Sequence, residues 1–150
     1  MTRIKRVLLT DDDRDDRDLF SEALASIDPA IVYHWAEHGR QALHLLDSNI
    51  IDKPDIIFLD INMPIMNGWE LLGKLKQNST YHDVPVIMYT TSSEAKDRKI
   101  AMELGALCFV TKPDNFKSVK GLLQIVVDNI EKDSIERVVS DIEKLHALSK

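Results

Sequence analysis

Apolar residues along this chain alternate between two arrangements: short, almost unbroken runs, and longer stretches in which they recur every three or four residues. The runs cover residues 4–9, 30–35, 55–59, 84–89 and 107–111. The clearest is Ile56-Ile57-Phe58-Leu59, bounded by Pro54-Asp55 and stopping at Asp60. So short an apolar run predicts a strand buried on both faces, as inside a parallel sheet. Between the runs lie helical patterns. Residues 12–27 bring Leu19, Phe20, Ala23, Leu24 and Ile27 to one face before Asp28-Pro29 closes the stretch. A second helix follows Glu37-His38-Gly39 and carries Ala42, Leu43, Leu45 and Leu46, and a third runs from about Trp69 to Lys76 after the Asn67-Gly68 turn. Thr91 and Glu94 have capping-box spacing and predict a fourth helix that stops at Gly105. Asp114 or Asn115 caps a fifth, through Val119, Leu122, Leu123, Val126 and Val127 to about Ile130. Strand and helix alternate five times, which predicts an α/β fold with a parallel sheet and right-handed crossovers.

Length and charge narrow the picture. At 150 residues and 44% hydrophobic content, one core accounts for the chain. The net charge of -6 and the lack of a long basic run argue against nucleic acid as the main partner. Only Val7-Leu8-Leu9 follows the basic start before aspartates appear, too short for an export signal, and no stretch approaches a membrane span, so a cytoplasmic location is expected. The single Cys108, in an apolar segment, reads as a core residue.

Polar residues at the carboxyl ends of the expected strands carry the chemistry. They are Asp11 and Asp12 after the first, Asp60 after the third, Thr90 after the fourth and Lys112 after the fifth. In a parallel sheet all of these share one edge, where open α/β sheets bind ligands. Three carboxylates brought together repel unless a cation joins them, and magnesium suits such a set because it takes few carboxylates, keeps waters and accepts phosphate oxygens. A hydroxyl and an ammonium nearby are what a transferred phosphoryl group requires. The reading is magnesium-assisted phosphorylation of an aspartate, with Asp60, alone on the central strand, as acceptor.

At these residues the chain resembles the receiver domain of two-component response regulators. The matching stretches are Leu9-Thr10-Asp11-Asp12-Asp13, Leu59-Asp60-Ile61-Asn62-Met63-Pro64 with Asn67-Gly68, Val86-Ile87-Met88-Tyr89-Thr90, and Val110-Thr111-Lys112-Pro113, within about residues 4–130. The resemblance implies a flavodoxin-like, doubly wound (βα)5 sheet of order 2-1-3-4-5. It implies that Asp60 takes its phosphoryl group from a sensor histidine kinase, a phosphotransfer protein or a small acyl phosphate. Asp11, Asp12, Asp60 and the backbone carbonyl of Asn62 would hold Mg2+, Thr90 and Lys112 would bind the phosphoryl oxygens, and Phe109 would turn inward as the switch operates. Asn62 and Ser92 stand where the family tunes hydrolysis. The fourth helix, fifth strand and fifth helix would form the output face. The Asp11-Asp12-Asp13 and Thr90-Thr91-Ser92 runs look like stand-alone receivers that partner phytochrome-type or hybrid kinases. Departures are Tyr89 before Thr90, Thr91 where a small Ala is frequent, and Asp114-Asn115 where an aromatic is common.

Two rival readings overlap the first loop. Asp11, Asp13, Asp15 and Glu22 mimic a calcium loop, but Asp16 stands where a Gly is needed. A haloacid dehalogenase-type magnesium phosphohydrolase would use Asp11 as nucleophile and Asp13 as acid; it needs a further acidic pair where Asp114 stands alone, and leaves Asp60 unexplained. The five histidines are scattered and suggest surface roles. The chain divides into a receiver, residues 1–130, and an extension, 131–150. In that extension Ile135, Val138, Val139, Ile142, Leu145 and Leu148 form the stripe of an amphipathic helix, packed on its own domain or, alternatively, on a second copy or partner helix.

Overall fold

The computed structural model describes residues 3–148, with side chains to His146, so the Leu148 end of the expected stripe lies outside the described side chains. The apolar runs become β1 (Arg6–Thr10), β2 (Val32–Ala36), β3 (Ile56–Leu59), β4 (Val86–Thr90) and β5 (Cys108–Thr111). They pair in parallel as one sheet of order β2-β1-β3-β4-β5, the flavodoxin-like order. The helices are α1 (Arg14–Ile27), α2 (Gly39–Asp47), α3 (Gly68–Gln77), α4 (Ala95–Glu103), α5 (Phe116–Glu131) and, after a 3-10 turn over Ile135–Arg137, α6 (Val138–Leu148).

Because side chains alternate along a strand, each central strand feeds two cores. Val7 and Leu9 of β1 join Phe20, Phe58, Tyr89, Leu123 and Val126 on the α1 and α5 side. Leu8 joins Leu46, Ile57, Leu72, Met88, Ala101 and Phe109 on the α2, α3 and α4 side. This double burial is why the strands read as unbroken runs. The chain reverses its winding direction between β1 and β3, and their carboxyl ends open at that switch point. The registers Thr10↔Leu59 and Thr90↔Thr111 bring the strand ends level.

Several boundaries move from the sequence expectation. β1 starts at Arg6 rather than residue 4, since Ile4 is exposed, and extends through Thr10. β2 is displaced to Val32–Ala36, β4 begins after Pro85, whose missing N–H suits a strand's entry, and β5 begins at Cys108. α1 starts at Arg14 because Asp13 caps it, Oδ1 accepting from Asp16 N at 3.1 Å. The expected capping box at Thr91 and Glu94 does not form: α4 starts at Ala95, and Glu94 caps it without a side-chain bond. Ser92 supplies the local order there, its Oγ accepting from Glu94 N at 3.2 Å and donating to Asp97 at 2.7 Å. Asn115, not Asp114, caps α5. His38 is not a surface ornament but the cap of α2, its Nδ1 accepting from Gln41 N at 3.1 Å.

The tail helix packs on its own domain. Val138 and Ile142 are buried in the core cluster that holds Cys108, Val127 and Ile130. Among the described residues no helix is long and apolar enough to cross a membrane.

Candidate functional site

The carboxyl ends of β1 and β3 are stitched by main-chain bonds. Asp11 N donates to Ala36 O and Asp60 N to Thr10 O, both at 2.9 Å, so each acidic residue leaves its strand with its backbone held. Asp60 is buried; its Oδ1 accepts from Ile61 N at 2.7 Å, and Lys112 Nζ donates to its Oδ2 at 3.1 Å. The loop beyond it is tight. Met66 N donates to Pro64 O at 2.7 Å around Ile65, a β-branched residue held at φ 68°, where such residues are rarely found. Gly68 N then donates to Ile61 O at 2.9 Å. A Cβ on Gly68 would lie 2.1 Å from the Asp60 carbonyl oxygen, so glycine is what lets α3 start against the end of β3.

Carboxylate oxygens of Asp11, Asp12 and Asp60 all lie within 4.8 Å of one another, Asp11 and Asp60 buried and Asp12 exposed. Lys112 Nζ lies 2.7 Å from Asp11 Oδ2, 2.8 Å from Asp16 Oδ2 and 3.1 Å from Asp60 Oδ2. One ammonium therefore serves three acids. Burial pushes the Asp11 carboxyl up to about 6, the contacts to Lys112 only partly opposing it. Burial also pulls the Lys112 ammonium down, but Asp11 and Asp16 outweigh it and hold its pKa above the ordinary lysine value. Asp11 Oδ2 receives no hydrogen bond of normal geometry despite the nearby ammonium. A hard oxygen donor left so, among other carboxylates, fits a divalent cation with Asp11, Asp12 and Asp60 as its protein ligands.

Thr90 ends β4 fully buried, and its Oγ1 has no hydrogen-bond partner among the described residues. Asn62 is exposed on the β3–α3 loop. Ser92, two residues past Thr90, is tied to Asp97 and belongs to the start of α4. Phe109 is buried on β5 with the Arg98 guanidinium 5.1 Å from its ring centre, and Arg98 Nη1 donates to the Phe109 carbonyl at 3.2 Å. Thus Asp11, Asp12, Asp60 and Lys112 form one cluster, while Phe109 and Ser92 connect to α4. Asp13, acid of the hydrolase reading, is spent on capping α1.

Sequence reasoning missed two members. Asp16 is the third acid on Lys112; its signal was the Asp13-x-x-Asp16 spacing, which sets the start of α1 and puts Asp16 in its first turn. Arg17 is buried, donates from Nη1 to the Asp11 carbonyl at 2.9 Å and stacks 4.2 Å from the Trp35 ring centre, an arrangement no local pattern announces.

Comparison with known proteins agrees with this geometry. Residues 7–124 match the response regulator receiver domain family. The chain is 35% identical over 124 residues to the transcriptional regulatory protein CpxR of Escherichia coli K12, covering 83% of this chain and 50% of CpxR. It is 34% identical over 137 residues to a protein-glutamate methylesterase/protein-glutamine glutaminase of Bacillus subtilis, covering 90% of this chain and 35% of that protein. It thus spans half or less of these curated relatives. Among solved structures, the phosphorylated cyanobacterial phytochrome response regulator RcpA superposes with a TM-score of 0.77 at 26% identity, over 86% of this chain and 94% of RcpA. The chemotaxis response regulator CheY4 of Vibrio cholerae gives 0.69 at 29% identity, over 83% and 99%.

Proposed function

This chain belongs to the response regulator receiver family, and on that premise we propose that Asp60 is its phosphoryl acceptor and that it signals by a phosphorylation-dependent change of shape. The observation that carries the assignment is the single Lys112 ammonium shared by Asp11, Asp16 and Asp60 at one sheet edge. An Asp60 carboxylate oxygen attacks phosphorus as the bond to the donor breaks, either phosphorus–nitrogen of a phosphohistidine or phosphorus–oxygen of an acyl phosphate. The product is an acyl phosphate on Asp60.

Magnesium, held by Asp11, Asp12, Asp60 and the Asn62 carbonyl, would neutralise the charge brought together there. The other groups are the chain's own. Lys112 exchanges a carboxylate for a phosphoryl oxygen, and Asp16 keeps the ammonium near the acceptor meanwhile. Thr90 Oγ1, unpartnered at rest, gains an acceptor when the phosphoryl group arrives. Phe109, beneath the Arg98 guanidinium, carries the change toward α4, and Asn62 and Ser92 influence how long the group survives. The chain thus assists its own modification and its loss, acting in the cytoplasm as a switch.

The donor is a sensor histidine kinase or a phosphotransfer protein. The likeness to RcpA favours a phytochrome-type kinase. Output is through the α4, β5 and α5 face to a protein target.

Intact mass after incubation with magnesium and acetyl phosphate tests this. The parent gains one phosphoryl group, while Asp60→Asn and a chelator-treated sample gain none. An adduct on the variant would overturn Asp60 as acceptor, and none on the parent would overturn the chemistry.

A further inference from the structure

We propose that the cavity between α1 and β2 is a binding site for a small aromatic carboxylate, which Arg17 and the Tyr33 hydroxyl hold by its charged end. The site lies outside the cluster around Asp60 and does not depend on the acceptor role proposed for that residue.

The cavity measures about 430 Å3, inside the range of about 300–1,000 Å3 usual for small-molecule sites. β2 supplies one wall. Tyr33 and Trp35 stand two positions apart, so their rings leave the strand on the same face, toward α1. Arg17 and Ser21, four positions apart on α1, form the wall opposite. Arg17 is buried. Its Nη1 donates to the Asp11 carbonyl at 2.9 Å and its guanidinium stacks 4.2 Å from the Trp35 ring centre, yet among the described residues it forms no ion pair. Buried charges are ordinarily paired, and a guanidinium has five donors, so one that meets only a main-chain oxygen and a ring has capacity for an anion.

The Tyr33 hydroxyl makes the same demand from the other wall. Its oxygen is buried with no hydrogen-bond partner among the described residues. Burial pushes its pKa up and the Arg17 charge pulls against that, so the two groups are within electrostatic reach and the hydroxyl keeps its proton to donate. A carboxylate, with two acceptor oxygens, satisfies a guanidinium and a hydroxyl together.

The rest of the cavity specifies the body of the ligand. Two exposed acids, Asp18 and Glu37, stand at the rim, and Arg14 there already faces Asp18 at 3.9 Å. They repel a polyanion, so the occupant carries a single negative charge. The Tyr33 and Trp35 rings favour a flat, apolar body. A metal ion does not fit, because the buried guanidinium repels it.

Binding is measured on the full chain in chelator, which keeps phosphorylation chemistry out of the readout. The probes are benzoate and 2-naphthoate, their neutral amides, and inorganic phosphate. We expect one saturable site by calorimetry for at least one carboxylate, with a Kd of about 1 mM or tighter and the amide at least about tenfold weaker. The chain has two tryptophans, so indole N–H signals locate the ligand: the Trp35 signal shifts on titration and the Trp69 signal does not. Tyr33→Phe removes only an unpartnered hydroxyl, so it should unfold in urea at the parent's midpoint or above, yet bind the carboxylate about tenfold more weakly. Arg17→Lys keeps the charge but loses the planar fork, and should weaken binding as well. Should that variant not fold, Tyr33→Phe carries the test. Equal binding of carboxylate and amide overturns the anion site, and phosphate binding as tightly as the carboxylates overturns the aromatic class. The site itself is overturned by the lack of saturable binding of either carboxylate, by a shift at Trp69 in place of Trp35, or by unchanged affinity in Tyr33→Phe.

Discussion

Replacing Gly68 by Ala tests whether the phosphoryl acceptor depends on the close approach of α3 to β3. The added Cβ would stand 2.1 Å from the Asp60 carbonyl oxygen and 2.9 Å from its carbon, both main-chain atoms with no rotamer to escape into. Restoring an allowed contact requires the first turn of α3 to retreat by about 1 Å. That retreat stretches the 2.9 Å bond from Gly68 N to Ile61 O beyond useful length. It also shifts Leu71, Leu72 and Leu75, all essentially fully buried. Overpacking at about 1–3 kcal/mol and one hydrogen bond at about 1 kcal/mol sum to about 2–4 kcal/mol of lost stability. Because the displaced atoms belong to Asp60 itself, a misplacement near 1 Å should also slow phosphorylation by about 100-fold. Urea unfolding in chelator gives the first quantity and the rate of acetyl-phosphate adduct formation the second. A variant within about 0.5 kcal/mol of the parent that phosphorylates within twofold of its rate would refute the close-approach argument.

Thr90→Val replaces a buried, unpartnered hydroxyl by a methyl group of similar size, so unfolding should show no loss of stability and a gain of up to about 1 kcal/mol. Fluoroberyllate affinity, read by titration with magnesium present, should nonetheless fall at least about tenfold, and unchanged affinity would remove Thr90 from the switch. Asp11 gives a pH signature in chelator. Its carboxyl sits at about 6 in the folded state against 3.8 ordinarily, so the folded protein binds the extra proton and loses about 3 kcal/mol as pH rises through that window. Asp11→Asn should flatten the slope between pH 4 and 7 in denaturant titrations and be the more stable form at pH 7; an undiminished slope would contradict the assignment.

The strands and their order were legible because double burial leaves an unmistakable run of apolar residues, and because every carboxyl-end polar group then falls on one edge. Asp60 and Lys112 stand at the ends of such runs, and the structure brings them to 3.1 Å. What was not legible depends on relations between distant segments. Asp16 joins the site only because Asp13, rather than Asp12, sets the start of α1. Gly68 reads as a turn residue, yet its necessity comes from the Asp60 carbonyl eight positions earlier. The Thr91 and Glu94 spacing misled for the converse reason. It satisfies a local rule, but Ser92 and Asp97 form the competing bond.

β5 has a strand neighbour on one side only, and such edges invite pairing with another chain. Here the Arg98 guanidinium donates to the Phe109 carbonyl, and α6 lies beside the same strand across a narrow groove. A foreign strand would have to evict both, and would then meet a cation. Runaway sheet extension from this border into fibrils is therefore discouraged.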